Sequence, residues 1–331
     1  RAKKFYPCPN KCTYCFDYAD VSRGILSWKD IEKVLLDAKE LGLKSAKFLA
    51  VGEFFINPSM FEILDFMQEQ DIKFSIFTKG EVLGNDNLAN RIHGMSSEEL
   101  VRRVCEYDIT RFLMDGWSFV PDIINERVGR PGSSFFDSRN RAIELLVENG
   151  MNDPMLQRMT LQTNPVMPEN IGEVYDIFVW GAERSIPVCV TKSMVAGKGV
   201  CLGRAGEDKF FDEQYVDLAV QIYSYLIERG ITSLERVREE GVSSYVGTRP
   251  CNQLTCGLFI DKDGTVRQCP GNSLMPSFAD DVRTTPLDKI WVPGNPNYEF
   301  GSQYNNHCMK DGYSIPFRFY SEVQSRLEEK K

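Results

Sequence analysis

Three cysteines fall within eight residues near the start of the chain, in Cys8-Pro-Asn-Lys-Cys12-Thr-Tyr-Cys15-Phe16, at C-x3-C-x2-C spacing. Thiolates so placed can ligate three irons of a cubane cluster and leave the fourth iron to a small chelating ligand. A structural zinc wants four protein ligands, usually as C-x2-4-C pairs, and no fourth Cys or His lies near this loop. The plainer alternative is a disulfide or zinc knuckle. A second set, Cys251-x4-Cys256-x12-Cys269 with Cys308 further on, offers four thiolates near the other end. Between them, Leu258 to Gln268 predicts a β-hairpin by its Asp263-Gly264 turn and flanking apolar residues, carrying Cys256 out and bringing Cys269 back. Four thiolates suit zinc as well as iron and sulfide, so spacing alone leaves that choice open.

The elements that must position these residues alternate. Ser27 with Asp30 predicts a capping box, and Ile31, Val34, Leu35, Ala38 and Leu41 then share one helical face until Gly42. Strands are predicted at Lys47–Val51, Lys73–Phe77, Thr110–Met114, Gln157–Thr163 and Ile186–Thr191. Helices are predicted from Asn57-Pro58 onward, at Ser97–Tyr107, Ser138–Asn149 and Glu169–Arg184. Such alternation means a parallel sheet with right-handed crossovers, in about six units before residue 195. A helix Asp212–Arg229 follows, and the charged interval Thr232–Pro250 reads as a linker.

The N-terminal loop resembles the cluster-binding motif of the radical S-adenosylmethionine (SAM) family. The resemblance implies a partial (β/α)6 barrel of the α/β class over residues 1–205. It also implies a [4Fe-4S] cluster held by Cys8, Cys12 and Cys15, whose open iron is chelated by SAM. Reduction would cleave SAM to methionine and a 5′-deoxyadenosyl radical that takes hydrogen from a C–H bond. Tyr14 matches the aromatic that flanks the adenine. Val51-Gly52-Glu53-Phe54 resembles the family's Gly-Gly-Glu-Pro segment, so Gly52 and Glu53 would grip the methionine amino group, a natural partner for a carboxylate. Val51 and Phe54 depart from that pattern. Phe77-Thr78-Lys79-Gly80 resembles Thr-Asn-Gly with Lys79 for Asn. Asp115, in Met114-Asp115-Gly116, and Gln162 with Thr163 stand where the family contacts ribose or substrate. Gly203-Arg204-Ala205 resembles the stretch that closes the barrel.

Residues 206–250 would form a helical linker, and 251–331 resemble the auxiliary-cluster module called SPASM or its shorter form, twitch. One auxiliary [4Fe-4S] cluster on Cys251, Cys256, Cys269 and Cys308 is expected, with Leu287–Trp291 as the helix that follows the hairpin. Cys189 and Cys201 are candidates to donate a hydrogen atom to a substrate radical, with core packing as the alternative. Cys105 reads as a buried apolar residue, and His93 and His307 as a helix-end and a surface histidine. Asn125-Glu-Arg127-Val-Gly-Arg130-Pro-Gly132 sets two arginines beside glycines, a mobile segment for an anionic substrate group.

Bulk composition narrows the class. At 331 residues, 42% apolar and 26% charged, the chain reads as globular, and its net charge of −8 argues against a large nucleic-acid footprint. No apolar run is long enough to span a bilayer. Ten cysteines, seven of them grouped toward the two ends, indicate metal in a reducing compartment, hence the cytoplasm. The expected activity is radical SAM chemistry on a small polar substrate, sugar- or aminocyclitol-like, by epimerisation or dehydrogenation, because no separate leader-peptide-binding domain is evident. The alternative is epimerisation, oxidation or thioether cross-linking of a peptide or protein. A non-catalytic iron–sulfur or zinc protein is the rival of another class. An electron donor such as flavodoxin or ferredoxin is the expected partner.

Overall fold

The structure is a computed structural model that describes residues 8–17, 24–49, 52–202, 206–274, 278, 280–303 and 308–330. Val51, Gly203-Arg204-Ala205 and His307 lie outside the described residues. Five strands, β1 (Ser45–Phe48), β2 (Lys73–Thr78), β3 (Ile109–Asp115), β4 (Met159–Gln162) and β5 (Val188–Cys189), form one sheet in sequence order. The pairs β1–β2, β2–β3 and β3–β4 are parallel, with Phe48 opposite Ile76, Thr78 opposite Met114 and Asp115 opposite Gln162. Parallel strands buried on both faces read as near-continuous apolar runs. Accordingly Phe74, Ile76, Phe112, Met114, Met159 and Leu161 are all fully buried, with Leu64, Met67, Leu100, Val104 and Leu146 from the helices. The α/β fold is the expected one. The sheet has five strands among the described residues, against about six expected units, and Cys189 lies on the fifth.

The chain divides into two compact units. The first comprises residues 1–13, 27–162 and 179–188, and the second residues 14–26, 163–178 and 189–331. In the first, the helix Trp28–Glu40 begins as predicted: Ser27 Oγ accepts the Asp30 N–H and Asp30 returns a bond to the Ser27 N–H, closing the capping box.

The stretch expected as a helical linker falls within the second unit. Helix Lys209–Glu228 packs on helix Arg318–Glu329, with Tyr215 and Phe319 stacked at 4.9 Å. The charged stretch 232–250 contains the helix Leu234–Glu240, whose Leu234 and Val237 are buried one turn apart. Val246 then bonds its N–H to the Val190 carbonyl at 2.9 Å. A high density of charge hid two apolar positions at helical spacing, and that was enough to build a packed element. The hairpin is present: β6 (Phe259–Ile260) pairs antiparallel with β7 (Val266–Arg267), and Gly264 takes φ +86° in its turn.

Candidate active site

The N-terminal cysteine loop is tied down by contacts within each unit, its residues up to Thr13 in the first and from Tyr14 in the second. In the first unit, Lys11 N–H donates to the Val128 carbonyl at 2.9 Å and Thr13 N–H to the Arg127 carbonyl at 3.0 Å. Arg127 reaches Thr13 Oγ1 and Arg130 reaches Asn10 Oδ1, each at 3.4 Å, and Arg130 also pairs with the buried Glu81 at 2.5 Å. The two arginines expected to offer charge to a substrate make contacts to the N-terminal cysteine loop. Gly129, at φ +75°, is required here because a Cβ would stand 2.8 Å from Lys11 Cβ.

In the second unit, Lys198 N–H donates to the Cys15 carbonyl at 2.9 Å. Gly197, at φ +53°, lies so close that a Cβ would meet the Cys15 and Asp17 carbonyl oxygens at 2.7 Å. The glycine-rich segment after β5 thus positions the third cysteine of the motif. Asp17 in turn forms an ion pair with Lys262.

At the C-terminal ends of β2 and β3 stands a buried polar shelf. Glu53, 6% exposed, accepts from Thr78 Oγ1 at 2.6 Å and from the Lys79 N–H at 2.7 Å. Burial pushes its carboxyl above the ordinary carboxylate range, against the donors Thr78, Lys79 and Phe55. Lys79 Nζ donates to Asp115 Oδ1 at 2.9 Å, while Asp115 Oδ2 is buried with no hydrogen-bond partner and lies 3.9 Å from Arg139. Arg139 is itself fully buried and donates to the Asp115 and Ser118 carbonyls. Cys8 shares this neighbourhood: its thiol is pushed up to about 11, first by the protein bulk around it and then by Glu53 and Cys12, although the residue is exposed. Gly52 takes φ +94° just before Glu53.

The remaining expected contacts are distributed differently. Gln162 is buried, with its carbonyl accepting the Gly116 N–H at 3.0 Å. Thr163 is fully buried, and its hydroxyl donates to the Cys189 carbonyl at 3.0 Å, which ties it to β5. Tyr14 is half-buried. Cys189 is half-buried and lies within electrostatic reach of Tyr215 and Tyr245, whereas Cys201 is exposed on the turn Gly197–Cys201. Cys105 ends its helix half-buried, its thiol raised to about 12 by burial. His93, at a helix end, sits 2.7 Å from the Phe55 carbonyl, and burial holds it below the usual imidazole value.

Of the second cysteine set, Cys251, Cys269 and Cys308 line one small cavity with Tyr245, Gly271 and Lys310. Cys256, at the end of the short helix Gln253–Cys256, is exposed and does not line it. Gly271 N–H donates to Cys269 Sγ at 3.2 Å and so orients that thiol, while the Asp311 carboxylate accepts the Cys308 backbone N–H at 3.1 Å and holds that residue's backbone. Burial lifts the Cys269 thiol to about 12. Nearby, Lys192 and Asp212 form a fully buried ion pair at 2.6 Å.

The donor chemistry fits the implied groups. None of the ten cysteines is in a disulfide, and among the described residues no three Cys, His, Asp or Glu side chains close round a single ion position. A cubane takes each thiolate on its own iron and so spreads its ligands, while its positive irons offset the burial that disfavours thiolates at Cys8 and Cys269. For SAM, the Glu53 carboxylate suits an ammonium, and the orphaned Asp115 Oδ2 suits a hydroxyl. Sequence reasoning missed Arg139, Gly197, Lys198 and Lys310. Only the Gly-Lys-Gly run at 197–199 carried a local signal.

The sequence model of the Radical SAM superfamily matches residues 5–180. No curated protein matches. Among solved structures, Streptococcus suis SuiB bound to precursor peptide SuiA aligns with TM-score 0.57 and 16% identity, covering 92% of this chain and 66% of that one. S. suis SuiB bound to S-adenosylmethionine aligns with TM-score 0.54 and 14% identity, covering 96% of this chain and 67% of that one. The chain therefore spans just under two thirds of the length of the first of these.

Proposed function

The chain belongs to the radical SAM superfamily, and from that premise we propose that it oxidises a peptide or protein at an unactivated C–H bond. The peptide reading replaces the small polar substrate expected from the sequence. It is supported by the fold likeness to SuiB, a protein whose structure is known with precursor peptide SuiA bound. An oxidative outcome is carried by one observation: Cys251, Cys269 and Cys308 line a common cavity, the makings of an auxiliary electron acceptor. The epimerase reading needs a thiol beside the substrate. The candidates for that thiol are Cys201, exposed on the turn Gly197–Cys201, and the half-buried Cys189.

Cys8, Cys12 and Cys15 would hold the catalytic cluster, and Cys251, Cys269 and Cys308, with Cys256 as the fourth candidate, the auxiliary one. Bound together, the first cluster and SAM supply a carbon-centred oxidant strong enough to take hydrogen from an aliphatic carbon. The chain's own residues bind and orient. Glu53, fixed by Thr78 and the Lys79 N–H, would hold the methionine ammonium. Asp115, aligned by Lys79 and Arg139, would accept from a ribose hydroxyl. Arg127 and Arg130 hold the first part of the cysteine loop, and Lys198 holds its third cysteine. Tyr14 would flank the adenine, and Gln162 and Thr163 would line the pocket. No helix among the described residues is long and apolar enough to cross a membrane. We place the enzyme in a reducing compartment such as the cytoplasm, with flavodoxin or ferredoxin as electron donor.

The test is reconstituted enzyme with SAM and dithionite in deuterated water, offered a mixed peptide pool and a pool of sugars and aminocyclitols. A peptide that has lost two hydrogens is the expected product. Deuterium gained at one carbon without loss of hydrogens, or a product only among the small molecules, contradicts the reading.

A further inference from the structure

Lys310 is 1% exposed and lines the cavity that holds Cys251, Cys269 and Cys308. Its Nζ donates to Thr191 Oγ1 and to the Lys192 carbonyl, the latter at 3.1 Å, and lies 4.9 Å from the centroid of the Tyr245 ring. These are neutral partners. The neighbouring ammonium, Lys192, is also buried, but Asp212 matches its charge at 2.6 Å. Among the described residues no carboxylate comes within ion-pair distance of Lys310. A buried ammonium without a counter-charge is heavily penalised. The anionic groups the cavity can supply are its thiolates. A Cβ placed on Gly271 would touch both Cys269 Sγ, at 3.1 Å, and Lys310 Cγ, at 3.7 Å, so the lysine stem and that sulfur flank the same small residue.

We propose that Lys310 is the fixed counter-cation of the auxiliary centre and sets its reduction potential. A thiolate-ligated cluster grows more negative on gaining an electron, and a cation held in a dry cavity beside it favours the reduced form. Lys310 therefore makes the centre a better acceptor for the electron left on an oxidised substrate. Thr191 and the Lys192 carbonyl keep the ammonium from swinging to solvent, and Tyr245 presents it a ring face. Lys310 is a positioning residue in this sense: it touches no substrate and acts through the centre. The proposal rests on the auxiliary-cluster reading above, and the experiment separates the two.

The background is full-length protein with Cys8→Ala, Cys12→Ala and Cys15→Ala, which leaves only the auxiliary thiols. After anaerobic reconstitution its iron and sulfide are counted, and the midpoint potential is read by redox titration with electron paramagnetic resonance. Lys310→Met and Lys310→Gln are then compared with Lys310→Arg. At the potential where the parent is half reduced, the Met and Gln forms should show an at least tenfold lower reduced-to-oxidised ratio. For a one-electron couple that is a midpoint lower by about 59 mV. The Arg form should stay within about twofold of the parent, about 18 mV on the same scale. A background without iron overturns the auxiliary reading and this proposal with it. A loaded centre with the same potential in Met, Gln and parent overturns this proposal alone. Loss of the cluster from both neutral variants but not from Arg would give Lys310 a holding role, and would also overturn it.

Discussion

Gly197→Ala perturbs the N-terminal cluster loop without touching a ligand. The residue sits at φ +53°, and the added methyl would lie 2.7 Å from the carbonyl oxygens of Cys15 and Asp17 and from the Phe16 carbonyl carbon. Left-handed backbone with a side chain costs about 1–2 kcal/mol. Forcing a methyl into a filled space adds about 1–3 kcal/mol. A total of about 2–5 kcal/mol is less than most domains' whole stability of about 5–15 kcal/mol, so the fold should survive. The strain is relieved by backing Cys15 away from Lys198, whose N–H holds its carbonyl at 2.9 Å. Iron after anaerobic reconstitution should fall from about eight to about four per chain. Formation of 5′-deoxyadenosine should be lost, while thermal unfolding remains cooperative. A variant with full iron and wild-type SAM cleavage would show that the glycine does not position Cys15, and the reasoning would be wrong.

Three further outcomes follow from the same geometry. Because burial raises the Glu53 carboxyl, the side chain is neutral below that raised value and anionic above it. An ammonium needs the anion, so SAM affinity should weaken as pH falls through the folded value, by up to about tenfold per unit. Glu53→Gln should bind weakly at all pH values, as equilibrium dialysis of reconstituted enzyme would report. Asp212→Ala leaves the Lys192 ammonium buried and unmatched, and should cost about 3–5 kcal/mol in denaturant unfolding; a change below about 1 kcal/mol would mean the pair is not what holds that lysine. Replacing Cys269 or Cys308 by Ala should leave about four irons per chain, whereas Cys105→Ala should keep about eight.

Local chemistry made part of this protein legible from sequence. The Ser27–Asp30 capping box, the Asp263-Gly264 hairpin and the alternation that builds a parallel sheet are all short-range patterns, and each stands in the structure. The spacing of Cys8, Cys12 and Cys15, inside the stretch that the Radical SAM family model matches, is a short-range pattern of the same kind. What escaped depends on residues distant in sequence. Arg130 looked like a substrate anchor because nothing beside it announces Asn10 or Glu81, which lie 120 and 49 residues away. Nothing in the glycine-rich run around Lys198 announces that its N–H meets the Cys15 carbonyl, because the two lie far apart in sequence. Lys310 was indistinguishable from a surface lysine, since burial of a charge depends on what folds over it. The interval 232–250 misled for the opposite reason: its surface charge was visible and its two inward apolar positions were not.

The account rests on a four-iron cluster held through three of its irons by Cys8, Cys12 and Cys15, with the fourth iron left to SAM. The direct measurement is anaerobic turnover of reconstituted protein with dithionite and SAM, following methionine and 5′-deoxyadenosine by chromatography in the parent and in Cys15→Ala. Production of both by the parent and of neither by the variant is the predicted result. A parent that binds iron yet forms no 5′-deoxyadenosine, or a variant that forms as much as the parent, would contradict it.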